Sequence, residues 1–181
     1  MAIQRKDIST YFDEHASLPV EVGTEKRFMQ WTTQGGGWHD IKGLPQYRAT
    51  GSNQPTWAQI GTTVFWGYRL AIGDEMWFDH HTPHDYWPGS AVYPHIHWFA
   101  DGTDPSPVRW EVSVAAAKGH QQGAWAFDAP TVMVVTQAPP GTRWYHMIAE
   151  VADPGFSSAA IEVDSIITAR VRRVANGATD N

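Results

Sequence analysis

From Trp38 onward apolar and polar residues alternate with a period of two, the repeat of a strand with one buried face. Val64, Trp66, Tyr68, Leu70 and Ile72 alternate with Phe65, Gly67, Arg69 and Ala71, which predicts one half-buried strand over 64–72. Gly73-Asp74 then turns the chain into a second strand over 75–80. Val108, Trp110, Val112 and Val114 alternate with Arg109, Glu111 and Ser113, and residues 131–136 form a run rich in β-branched side chains. Pro139-Pro140-Gly141 is a turn that introduces another strand over 143–151. A long last strand is expected over 161–174, with Ile161, Val163, Ser165, Ile167, Ala169 and Val171 on one face. Residues 38–41 are a short strand candidate, while 51–55, 119–123 and 154–158 read as loops.

Seven or eight strands at this spacing, with no strong helical pattern, predict an all-β fold. The connection lengths suit a jelly-roll β-sandwich over 38–174, followed by a frayed tail at 175–181. Residues 1–37 are irregular, with one or two helical turns expected near 9–15 and breaks at Pro19, Gly23 and Gly35-Gly36-Gly37. They still carry Tyr11, Phe12, Phe28, Met29 and Trp31, too apolar a set for a free tail. The expectation is an extended N-terminal arm that buries these aromatics against the body or a neighbouring subunit.

Composition sharpens this picture. Ten tryptophans, 13% aromatic residues and only 18% charged residues fit pleated, aromatic-packed sheets better than a helical bundle. A net charge of −6 argues against a nucleic-acid partner, which calls for a basic excess. The absence of cysteine removes disulfides, thiolate nucleophiles and Cys-based zinc sites. No apolar run approaches the roughly 20 residues of a membrane-spanning helix, and the start of the chain lacks the apolar stretch of a secretion signal. A soluble protein with no membrane partner, made in the cytoplasm, is expected.

The candidate chemistry lies in 78–101, which holds His80, His81, His84, His95 and His97. On a strand over 92–100, His95 and His97 share a face with Tyr93 and Phe99, while Val92, Ile96 and Trp98 face the other way. His95 and His97 are thus placed as two ligands of one metal ion, with His84, Asp85 or Asp101 as a third. The spacing Gly89, five residues, His95-Ile96-His97, then Asp101 resembles the first cupin motif, with Asp where cupins carry Glu. The second cupin motif fits poorly, since Trp144 stands at the expected position after Pro139-Pro140-Gly141 and the nearest histidine is His146. The other readings are semi-buried histidines bonded to backbone or carboxylates, or copies of one histidine meeting at a threefold axis.

No nucleophile elbow, phosphate-cradling glycine loop or suggestive carboxylate pair is present, so no catalytic residue is assigned. Arg170-Val171-Arg172-Arg173 is the single cationic cluster, with Arg170 and Arg172 on one strand face that reads as solvated or as an interface.

The central block resembles a group of tailed-bacteriophage structural proteins with a W-x-D … PHDY-x-x-GS … PHIHW pattern. The matching residues are Trp38 and Asp40, Gly51 and Pro55, Tyr68, Glu75, Phe78, Pro83-His84-Asp85-Tyr86, Gly89-Ser90, Pro94-His95-Ile96-His97-Trp98 and Trp110. The likeness spans about 38–119 and fades toward the C-terminus, where Ile161-Glu162-Val163-Asp164 departs from the group's Asp-x-His-Tyr-like ending. It implies a non-enzymatic virion component, foremost a capsid decoration or cement protein. Such a protein would be a homo-oligomer, expected as a trimer, bound to the major capsid protein or other virion proteins. Tyr11, Phe12, Phe28, Trp31, Trp57 and Trp87, together with Trp66, are the expected interface residues. A neck, tail or receptor- and glycan-binding component is the alternative role, and a cupin-like metalloenzyme using His95 and His97 the remaining one.

Overall fold

A computed structural model describes residues 41, 43–46, 53–84, 86, 89–119, 124–152 and 154–177. The chain divides into two units, Met1–His39 and Asp40–Asn181, and every described residue lies in the second. The expected arm, with Tyr11, Phe12, Phe28 and Trp31, and also Asp85 and Trp87, lie outside the described residues.

The described residues are all-β, with no helix among them. In chain order the strands are β1 Leu44–Gln46, β2 Thr56–Gln59, β3 Trp66–Arg69, β4 Glu75–His81, β5 His95–Trp98, β6 Val108–Ala117, β7 Thr131–Gln137, β8 Met147–Glu150 and β9 Ile166–Val174. One five-stranded sheet has the order β1-β4-β9-β6-β7, and β2-β3 and β5-β8 form two-stranded ribbons. All pairings are antiparallel.

The pairings from β4 to β9 are nested. β4 pairs with β9, β5 with β8, and β6 with β7. The outer and inner pairs lie side by side in the large sheet through β9 and β6, while the middle pair forms a separate ribbon. A long antiparallel hairpin rolled into two layers gives this order, which is the jelly-roll principle carried out with three pairs of strands.

Alternation explains how the layers close. On β6 and β9 the inward residues Val112, Val114, Ala116, Ile167 and Ala169 are buried together with Val151, Phe156 and Ile161, and Ile96 of β5 packs against them. Beside this cluster, Trp98 and Ala149 of the ribbon bury against Trp110 of the sheet. The two indoles meet edge to face, 5.7 Å apart at 69°, and Trp98 Nε1 donates to Gln137 Oε1 at 2.7 Å. Phe156 anchors the end of the ribbon layer through reciprocal backbone bonds with Val92, at 2.8 and 2.7 Å. Each fully buried side chain of this size contributes about 1.5–3 kcal/mol.

The opposite face of the large sheet carries Arg170 and Arg172 of the cationic cluster, while Arg173 shares the face of Trp110 and Val171. Register places Arg170 between Trp77 and Ser113, and Arg172 between Glu75 and Glu111. Arg170 pairs with Glu111, donates to Ser113 Oγ at 3.0 Å and lies 3.8 Å from Glu75 Oε2. Arg170 therefore neutralises carboxylates of its own sheet, and Glu75 is buried beside it.

Four expected strands are shorter than the periodicity suggests, since 92–100 is a strand only at His95–Trp98 and 143–151 only at Met147–Glu150, and the other two show why. The 64–72 segment is a strand only at Trp66–Arg69. Thr63 and Ile60 close a hairpin turn before it, and Asp74 closes a second turn onto Ala71 after it. Along it Tyr68 and Leu70 are half-buried and Phe65 and Arg69 exposed, as alternation requires, but Trp66 is exposed too and Gly67 of the other face lies near Ile60 and Phe99. The 161–174 strand begins only at Ile166. Before it, Ser165 Oγ bonds Ala160 O and accepts from Glu162 N, and Asp164 takes a positive φ of 62°, so the chain coils there.

Candidate functional surface

The ribbon β5-β8 and the ribbon β2-β3 each turn one face outward. On β5 the burial alternates, with His95 and His97 exposed and Trp98 buried, as period two requires. Opposite them on β8, Glu150 faces His95 and Ile148 faces His97. The His95 and His97 rings are 5.0 Å apart, edge to face.

His146, one residue before β8, completes this group. Its Nε2 lies 2.8 Å from His97 Nδ1. The ring centroids are 5.0 Å apart and the planes differ by 14°. That spacing is the nitrogen gap plus the half-widths of two rings, so the imidazoles lie edge to edge rather than face to face. Their lone-pair directions meet, and one proton between them makes an N–H···N hydrogen bond. A metal ion needs both lone pairs aimed at a third point, which this arrangement does not provide.

The other expected ligands have different partners. His84 Nε2 lies 2.6 Å from Asp164 Oδ1. Asp101 Oδ2 lies 3.0 Å from Arg69 Nε, which ties the end of β3 to the chain beyond β5. Among the described residues no three His, Cys, Asp or Glu side chains are grouped so as to hold a metal ion. His80 on β4 stands beside Gly43, whose missing β-carbon would fall 2.6 Å from the ring. Burial pushes the His80 pKa below its ordinary value, against a smaller upward pull from Asp79. Tyr86, also in this region, is pushed up by burial.

Beyond the histidines the surface is aromatic. Phe99 meets Trp144 at 5.6 Å, and the hairpin turn at Gly61 lies against the same indole. On β2-β3, Trp57 is paired with Tyr68 and Gln59 with Trp66, which puts all four on one face. Trp57 and Tyr68 touch edge to face at 4.7 Å. Trp57 is 55% exposed and Trp66 50% exposed. Tyr145 is exposed as well. Phe99 lies on the Gly67 side of the ribbon, so the group that stands together is Trp57, Tyr68 and Trp66. Single exposed aromatics are ordinary, whereas such a group marks a contact surface.

Sequence reasoning placed His95 and His97 on one face and named Trp57 and Trp66. It named His146 only as a misplaced cupin ligand. The contact with His97 depends on β5 pairing with β8, whose paired residues lie about fifty positions apart in the chain, and no local pattern announces such a pairing. No family model matches the chain, and no curated protein or solved structure matches it.

Proposed function

We propose that the protein is a non-enzymatic structural component of a phage particle, a decoration or cement protein that grips its neighbours through exposed aromatic side chains. The observation that carries this reading is the outward face of β2-β3, where Trp57, Trp66 and Tyr68 stand together while the opposite face meets Phe99 at Gly67 and carries Arg69 paired with Asp101. Large aromatic side chains on a rigid ribbon give contact area at low entropic cost, and tryptophan is enriched at binding hot spots. The resemblance of 83–98 to phage structural proteins supplies the particle. Many copies on a repetitive shell would multiply a modest single-site affinity.

The edge-to-edge His97–His146 bond and the engagement of Asp101 by Arg69 weigh against the cupin-like metalloenzyme. Rebinding tests the structural reading. Recombinant chain is added to particles depleted of it, beside Trp57→Ala and Trp66→Ala variants that keep the wild-type circular dichroism. Loss of binding in the variants supports the reading. Binding equal to wild type in both removes the aromatic face from it.

A further inference from the structure

The two edges of the five-stranded sheet are not alike. The β1 edge is only three residues long and has Pro45 at its centre, which blunts it against further pairing. The other edge is β7, seven residues long with the sequence TVMVVTQ, free of charge and proline. One side of β7 is paired along its length with β6. Among the described residues no backbone bond reaches its other side between 131 and 136. Val132 is 56% exposed and Val134 46% exposed, both on the outer face opposite Ser113 and Glu111. Met133 and Val135 face inward and join the two buried clusters. Proteins ordinarily guard a long, apolar, uncharged edge with lysine, proline or a bulge, because its open amides and carbonyls template a further strand. Here Pro130 and Pro139 only bracket the strand, and among the described residues no strand pairs with the far side of its middle.

We propose that β7 is the seam of a two-fold homodimer, in which it pairs antiparallel with β7 of a second copy and makes one continuous ten-stranded sheet from two five-stranded ones. The occupant follows from the strand itself. An antiparallel pair about a two-fold axis at Val134 sets Val134 opposite its own copy, Val132 opposite Thr136 and Met133 opposite Val135. Each face then meets its own kind, apolar or hydroxyl-bearing outside and core-facing inside. No like charges meet, because residues 131–140 carry none. A two-fold axis of this kind differs from the trimer expected from the sequence, and it belongs to the free protein whether or not the virion role holds.

The test uses the full chain and the symmetry. Val134→Lys and Val134→Glu each place like charges opposite one another across the axis, which destabilises a cross-strand pair. Light scattering and sedimentation should show a wild-type dimer, and each variant should dissociate about tenfold or more readily while keeping the wild-type circular dichroism. An equimolar mixture of the two variants should recover the dimer, because Lys then faces Glu. Val64→Lys, at an exposed turn position far from β7 in sequence, should leave the dimer intact. Should a position-134 variant fail to fold, Thr136→Lys and Thr136→Glu, likewise on the exposed edge, replace it, and each should weaken the dimer by bringing its charge against Val132 of the other copy. A wild-type chain that is monomeric at its highest soluble concentration overturns the proposal. So does a trimer, an oligomer indifferent to charge on β7, or a mixture of the two position-134 variants that stays monomeric.

Discussion

His97 Nδ1 and His146 Nε2 face each other across 2.8 Å, so that β5 and the approach to β8 are joined by a side-chain bond as well as by their ladder. One ring donates its N–H to the lone pair of the other, and a chelated ion would have to break this bond and rotate an imidazole. Calorimetry with zinc, nickel or copper should therefore show no stoichiometric binding tighter than about micromolar. One ion held per chain, lost in His146→Ala, would contradict this. Because both rings are exposed, His146→Ala should cost only about 0.5–1 kcal/mol in stability.

His80 makes stability depend on pH. Its folded-state pKa is lowered by burial, so the unfolded chain binds the proton more readily. Stability from this residue is complete above the ordinary histidine value of 6.5 and is lost as the pH falls through that value toward the folded one. Urea midpoints should drop between about pH 7 and about pH 5, and His80→Gln should show a shallower drop over the same range. Equal slopes in the two proteins would remove His80 as the cause.

The Phe156 side chain is the largest of those almost fully buried, and its backbone bridges to Val92. Phe156→Ala leaves a cavity under the ribbon layer and should cost about 3–5 kcal/mol by denaturant unfolding. A loss below about 1 kcal/mol would mean that the two layers do not close over this residue.

Arg170 forms ion pairs with Glu111 and the buried Glu75, the two carboxylates that flank Arg172 in the register. Arg170→Met removes one ion-pair partner from both carboxylates and should destabilise by about 3 kcal/mol. Arg109→Met, at an exposed position on the neighbouring strand, should stay within about 0.5 kcal/mol of wild type. Similar effects in the two variants would refute the pairing.

How far the sequence carried this fold depended on the range of the interactions. Strands with long alternation, such as Val108–Ala117, were legible because burial on one face writes period two into the chain. The strand at Thr56–Gln59 was not, since four residues, TWAQ, hold too little alternation to stand out from a turn cluster. Trp66 was placed with Tyr68 and Leu70 on one face of a half-buried strand, yet it is 50% exposed while those two are half-buried, because alternation alone does not say where along a strand burial stops. Gly67 lies on the opposite face of the ribbon, where a β-carbon would meet Ile60 and Phe99 at ordinary contact distance. His146 needed the β5-β8 register, and the open β7 edge needed the strand order, neither of which a single strand encodes.

The arm can be tested apart from the body. Deleting residues 1–37 should leave a chain with wild-type β circular dichroism and cooperative unfolding that no longer stays on the particle. Full retention would mean that Tyr11, Phe12, Phe28 and Trp31 are not interface residues.

The virion role rests most directly on a count. Quantitative mass spectrometry of purified particles should find the chain at hundreds of copies per genome if it decorates the shell. A few to a few dozen copies would place it at the neck or tail, and a chain that is made during infection yet missing from the particles would contradict the structural role altogether.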